Sequence, residues 1–99
     1  MEPEIIAEVT FLPTNIGGRK GPTPSEHFGC PLKIAKHLFD CRLLLAGVGA
    51  VSPGQTVTVP IAFLQPELVA PHLREGAEFE LWESRAIAKG RVVALLPAV

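Results

Sequence analysis

The sequence predicts an all-β fold, a six-stranded antiparallel β-barrel. Three observations carry that expectation. Apolar and polar residues alternate along short runs, which is the period of a strand with one buried face. Ten prolines and nine glycines lie between those runs rather than in a tract of their own, so they punctuate strands. The 99 residues, 47% hydrophobic and 19% charged, suffice for one core, and a single domain is expected over 1–99. Six short strands with a long loop favour closure, because a closed barrel leaves no strand edge exposed.

Each element has its own justification. In the run from Ile5 to Leu12, Ile5, Ala7, Val9 and Phe11 share one face and Glu8 and Thr10 the other; Pro13 stops it. From Thr14 to Ser25, three glycines and two prolines leave no room for a regular element and predict a long exposed loop. Residues 29–34 and 39–44 are expected to form a hairpin about Ala35–Leu38. Ile34 then faces Phe39, Leu32 faces Cys41, Cys30 faces Leu43, and Lys33 meets Asp40 on the outer face.

Gly47–Ala50 reads as a flexible link, and Ser52-Pro53-Gly54-Gln55 as a type II turn. Thr56 to Leu64 is a strand with Val57, Val59, Ile61 and Phe63 inward, and Pro60 marks an edge or a bulge. Gln65 to Leu73 is an irregular crossover with one helical turn, and Arg74–Ala77 a turn. Glu78 to Trp82 places Phe79 and Leu81 inward and Trp82 outward. Glu83–Arg85 is a tight corner, and Ala86 to Leu96 is the last strand, with Lys89 and Arg91 facing water.

Composition narrows the function classes. Nine basic and ten acidic side chains give a formal charge of −1, so no field of one sign attracts nucleic acid or an acidic membrane. No apolar run is long enough to span a bilayer. The acidic start, Met1-Glu2-Pro3-Glu4, is unlike a secretory leader, and a cytoplasmic location with reduced thiols is expected.

Four zinc-competent residues, His27-x-x-Cys30 and His37-x-x-x-Cys41, invite a metal site. The hairpin argues otherwise: it turns both thiols into the apolar face and leaves His37 at the tip, so the ligands do not converge. No metal and no cofactor is expected. The same burial keeps the thiols protonated and out of nucleophilic chemistry. Ser25, Ser52 and Ser84 lie in turns without a nucleophile-elbow pattern. Gly17-Gly18-Arg19-Lys20-Gly21 lacks the spacing and the following helix of a phosphate loop, although its backbone N–H groups suit a looser anion contact. Basic residues Arg19, Lys20, Arg85, Lys89 and Arg91 form a patch only if the fold brings them to one side.

Three segments, in order, resemble the third domain of elongation factor Tu. The loop Gly17-Gly18-Arg19 with Thr23-Pro24, Gly29 and Pro31 is similar to the start of that domain. Ser52-Pro53-Gly54-Gln55-Thr56-Val57 is similar to its Met-Pro-Gly-Asp-Asn-Val turn and strand. Phe79 to Gly90 with Val92 resembles its closing strands. The resemblance runs from about Ile5 to Val93 and implies a six-stranded antiparallel barrel without catalytic residues. In the family the domain packs on two partner domains, touches the T-stem of aminoacyl-tRNA and meets the exchange factor. Arg19 matches the arginine on the tRNA side; Glu83 and Arg85 match the residues flanking a Gly-Gly corner, shortened here to Ser84. The family's Thr-Asp-Val-Thr-Gly segment stands here as Leu38–Arg42, without its threonines. These departures and the charge of −1 argue against tRNA binding.

The expectation is a non-catalytic protein-binding module without GTPase activity. Its contact residues are Gly17, Gly18, Arg19, Lys20, Trp82, Glu83 and Arg85, and self-association would cover further exposed surface. The alternatives are an RNA-binding accessory domain linked to translation, acting through Arg19, Lys20, Arg85, Lys89 and Arg91, and a small enzyme of unrecognised type.

Overall fold

A computed structural model of the protein describes residues 1–97; residues 98–99 of the expected domain lie outside the described residues. Six strands close into an antiparallel barrel in the order β1-β4-β3-β2-β5-β6. They are β1 (Ile5–Phe11), β2 (His27–Ile34), β3 (His37–Leu44), β4 (Thr56–Phe63), β5 (Glu78–Trp82) and β6 (Ala86–Leu95). A short helix α1 (Pro66–Val69), continued by a 3₁₀ turn over Ala70–His72, crosses from β4 toward β5. No described helix is long and apolar enough to cross a membrane.

The alternation expected in β1 holds, with Ile5, Ala7, Val9 and Phe11 buried. Phe79 and Leu81 likewise point into the core and Trp82 outward, half-buried. In β6 a bulge opposite Leu81 and Trp82 leaves Ile87 unpaired, so neighbouring Ile87 and Ala88 are both buried. Past it, Lys89 and Arg91 face water as expected. The Pro-Gly turn closes with Gln55 N–H donating to Ser52 O at 3.1 Å.

The expected hairpin and the expected loop after β1 need correction. The β2–β3 hairpin turns on two residues, Ala35 and Lys36, with φ of 52° and 68°, not on four. Its register therefore pairs Cys30 with Cys41, Leu32 with Phe39 and Ile34 with His37. Lys33 lies opposite Leu38 and Asp40 opposite Pro31, so the expected ion pair is not formed; Lys33 meets Glu80 of β5 instead. The slip is by two residues, an even number, so every side chain keeps its face and the hydrophobic pattern is blind to it.

The loop after β1 holds a regular piece, a 3₁₀ turn over Thr14–Ile16. The glycines begin only at Gly17, which ends the turn with a left-handed φ of 102°. Nor is the loop exposed throughout, because Gly18 and Thr23 are buried. Thr23 ties it to the segment before β4: its N–H donates to Val51 O and its hydroxyl accepts from Val51 N, both at 2.9 Å.

Pro60 marks an edge, one of the two expectations for it, and not a bulge. The β1–β4 register runs through it without a shift, Ile6 opposite Pro60. Odd-numbered residues of β4 turn their backbone groups to β1, as Glu4 N to Ile61 O and Phe11 N to Gln55 O show. The nitrogen of Pro60 thus faces β3, where pairing has already ended at Leu43 and Ile61. Its missing N–H breaks no ladder bond.

Candidate functional site

The loop and the corner that the sequence singled out, more than sixty residues apart in the chain, meet at one end of the barrel. Local geometry forces the loop into place. After the 3₁₀ turn, Gly18 N–H donates to Pro13 O at 2.9 Å and the chain lies directly on the carbonyl of Leu12, where any Cβ would collide with backbone. On the other side, Glu83 N–H donates to Arg85 O at 2.9 Å, which makes the corner tight despite the lack of glycine.

Two arginines fasten these pieces together. Arg19 Nε donates to Glu83 Oε1 at 2.9 Å, and its guanidinium lies 4.8 Å from the centroid of the Phe28 ring. Arg85 Nε donates to Gly17 O at 2.7 Å. Thr14 Oγ1 donates to Arg19 O at 2.7 Å and holds the turn against the loop. Gly17, Gly18, Arg19, Glu83 and Arg85 therefore form one hydrogen-bonded cluster. Arg19 is engaged within the protein, its side chain only 21% exposed, whereas Ile16, Lys20 and Arg85 face solvent.

The remaining residues expected at the site lie on the outer wall. Trp82 Nε1 donates to Glu80 Oε1 at 3.0 Å, and Lys33 Nζ sits 5.0 Å from the centre of its ring. Lys89 stands opposite Glu80 of β5. Arg91 stands between Glu78 and Glu8, with Nη2 3.9 Å from Glu8 Oε1. The cations are thus interleaved with carboxylates across the strands and do not merge into a basic patch.

The cysteines and histidines sit apart. Cys30 and Cys41 are free, buried and directly opposite each other across the hairpin. A hydrogen bond with Cys30, reinforced by burial, pushes the Cys41 thiol far above its ordinary range. His27 is paired with Leu44 at one end of the hairpin and His37 with Ile34 at the other, both exposed. The four residues do not converge, and no group of three or more metal-competent side chains occurs among the described residues.

Sequence reasoning passed over two features. His37, Phe39 and His72 bring their rings together with centroids 5.6–6.3 Å apart, where the 3₁₀ turn after α1 meets the β2–β3 turn. A groove of about 530 Å³ opens between the chain before β1, α1 and the end of β6. Neither has a local motif, since each is assembled from distant segments. Comparison of the chain with protein-family models and with curated proteins finds no match.

Proposed function

We propose that this barrel is a non-catalytic protein-binding module of the cytoplasm, related to the third domain of elongation factor Tu. The observation that carries the reading is the clamp of the Gly17–Lys20 loop onto the Glu83–Arg85 corner. It builds a preorganised surface from two segments that each resemble that domain in sequence. Ile16, 63% exposed, immediately precedes Gly17 and offers an apolar side chain to solvent at a loop where Lys20 and Arg85 are exposed too. Rigid loops lose little entropy on binding. Two unbridged thiols facing each other in the core suit a reducing compartment. The pairing of Arg19 with Glu83 and of Arg91 with Glu8 favours a protein partner over RNA, because cations already matched by carboxylates neutralise fewer phosphates.

The test is capture of partners by tagged protein with and without RNase, repeated with Ile16→Asp, Arg85→Ala and Trp82→Ala. The expected result is one protein that survives RNase and is lost with Ile16→Asp and Arg85→Ala. Capture of RNA, or of proteins that disappear with RNase, would overturn the reading in favour of an RNA-binding domain.

A further inference from the structure

The groove lies at the opposite end of the barrel from the clamp. Ile5 pairs with Leu95 at the groove end, and Phe11 pairs with Ala88 at the clamp end. Pro3, Pro66, Leu73 and Leu95 supply apolar walls. Leu95 is 47% exposed on this wall. Apolar surface of this kind, gathered in a concavity, marks a docking site rather than the scattered exposure of any surface.

Three carboxylates share the groove: Glu2, Glu4 and Glu67. No lysine, arginine or histidine lines it among the described residues. Glu4 is positioned rather than free. Its backbone bonds to Ile61 O and accepts from Leu96 N, and its Oε1 accepts from Phe63 N at 2.7 Å. A fixed carboxylate between apolar walls, with two exposed ones beside it, asks for a partner that is both apolar and cationic.

We infer that this groove docks a basic, apolar peptide segment of a partner protein, with leucine-like side chains against Leu73 and Leu95 and lysine or arginine meeting Glu2, Glu4 and Glu67. A second copy of this chain is a poor occupant, since a two-fold contact would bring both sets of carboxylates together. The inference extends the reading of the barrel as a binding module but uses a separate surface, so either can fail alone.

The test uses a short fluorescein-labelled peptide of leucine and lysine and its leucine–glutamate counterpart, with binding read by anisotropy and mapped by amide chemical shifts. The lysine peptide is expected to bind and the glutamate peptide not to. Shifts are expected in residues 2–4, 66–73 and 95–96 and not in 16–20 or 83–85. Glu2→Lys with Glu67→Lys should weaken binding by about tenfold. Glu8→Lys with Glu26→Lys, an equal change of charge outside the groove, should weaken it far less. Leu95→Gln should weaken binding severalfold while leaving the amide spectrum folded. Equal binding of both peptides, equal loss in the two charge-reversed proteins, or shifts confined to the clamp would overturn the inference. So would concentration-dependent self-association abolished by Leu95→Gln, which would make a second copy the occupant.

Discussion

At Gly90 a single missing side chain decides how the barrel closes. Phe79 stands directly opposite it, and its ring lies where a Cβ on residue 90 would be. Closing β5 on β6 here needs glycine on one strand and an aromatic on the other, an arrangement that also covers the bare backbone. Gly90→Val should cost about 1–3 kcal/mol, because the ring must leave its place in a packed core. Denaturant unfolding checks this, and the paired change Phe79→Leu with Gly90→Val should recover part of the loss. The Cys41 thiol gives a second residue-scale expectation. Its folded value is raised, so its contribution to stability is complete below the unfolded value of about 8.5 and declines as pH rises past it. The unfolded chain then releases a proton that the native state keeps. The slope from this one group is up to about 1.4 kcal/mol per pH unit. Denaturation midpoints on either side of that pH, compared with those of Cys41→Val, isolate it: the variant should show a flatter alkaline decline.

Among the elements, the β2–β3 hairpin shows two requirements in tension. A two-residue turn between twisted strands needs left-handed conformations at both positions, for which Asn-Gly is the favoured pair. This chain uses Ala35 and Lys36, neither suited to it. The register is held by the strands instead, through Cys30 against Cys41 and Leu32 against Phe39. Ala35→Asn with Lys36→Gly should therefore stabilise the protein by roughly 1 kcal/mol and raise its melting temperature by about 4–8 °C, leaving the hairpin register unchanged in an NMR spectrum. The clamp is the other element whose strength can be measured. A double-mutant cycle on Arg19→Ala and Glu83→Ala should give a coupling of about 0.5–1 kcal/mol, since the pair is partly exposed, and it should shrink in high salt. Arg19→Ala alone should cost more than that coupling, because it also removes the contact with Phe28.

For the molecule as a whole, topology sets the folding behaviour. β1 closes the barrel by pairing with β6, the first strand with the last, and β4 inserts between β1 and β3. The β1–β6 contacts close nearly the whole chain as a loop before they contribute anything. Folding in milliseconds to seconds is expected, well slower than a helical bundle of similar length, with unfolding in one cooperative step. Stopped-flow fluorescence of Trp82, beside Lys33 and Glu80 at the end of β5, reports it; submillisecond relaxation would contradict the expectation.

Strand alternation determined most of this architecture from the sequence alone. A period of two places Ile5, Ala7, Val9, Phe11, Phe79 and Leu81 on the inner face without reference to any neighbour, and local Pro-Gly chemistry forms the Ser52–Gln55 turn by itself. Register was not legible, because a slip of two residues leaves every hydrophobic position on the same face; the cross-strand pairs Cys30–Cys41 and Leu32–Phe39, together with the neighbouring β5, select the observed one. For Pro60 the sequence left an edge or a bulge open, and the choice depends on where another strand stops. The candidate surfaces divide in the same way. The Gly-Gly-Arg loop and the Glu-Ser-Arg corner were visible as segments, but that Arg19 is engaged by Glu83 follows only once closure brings the two together. The acid-lined groove joins the chain before β1 to α1 and the end of β6, and its carboxylates acquire a common purpose only through proximity in space, which no local pattern encodes.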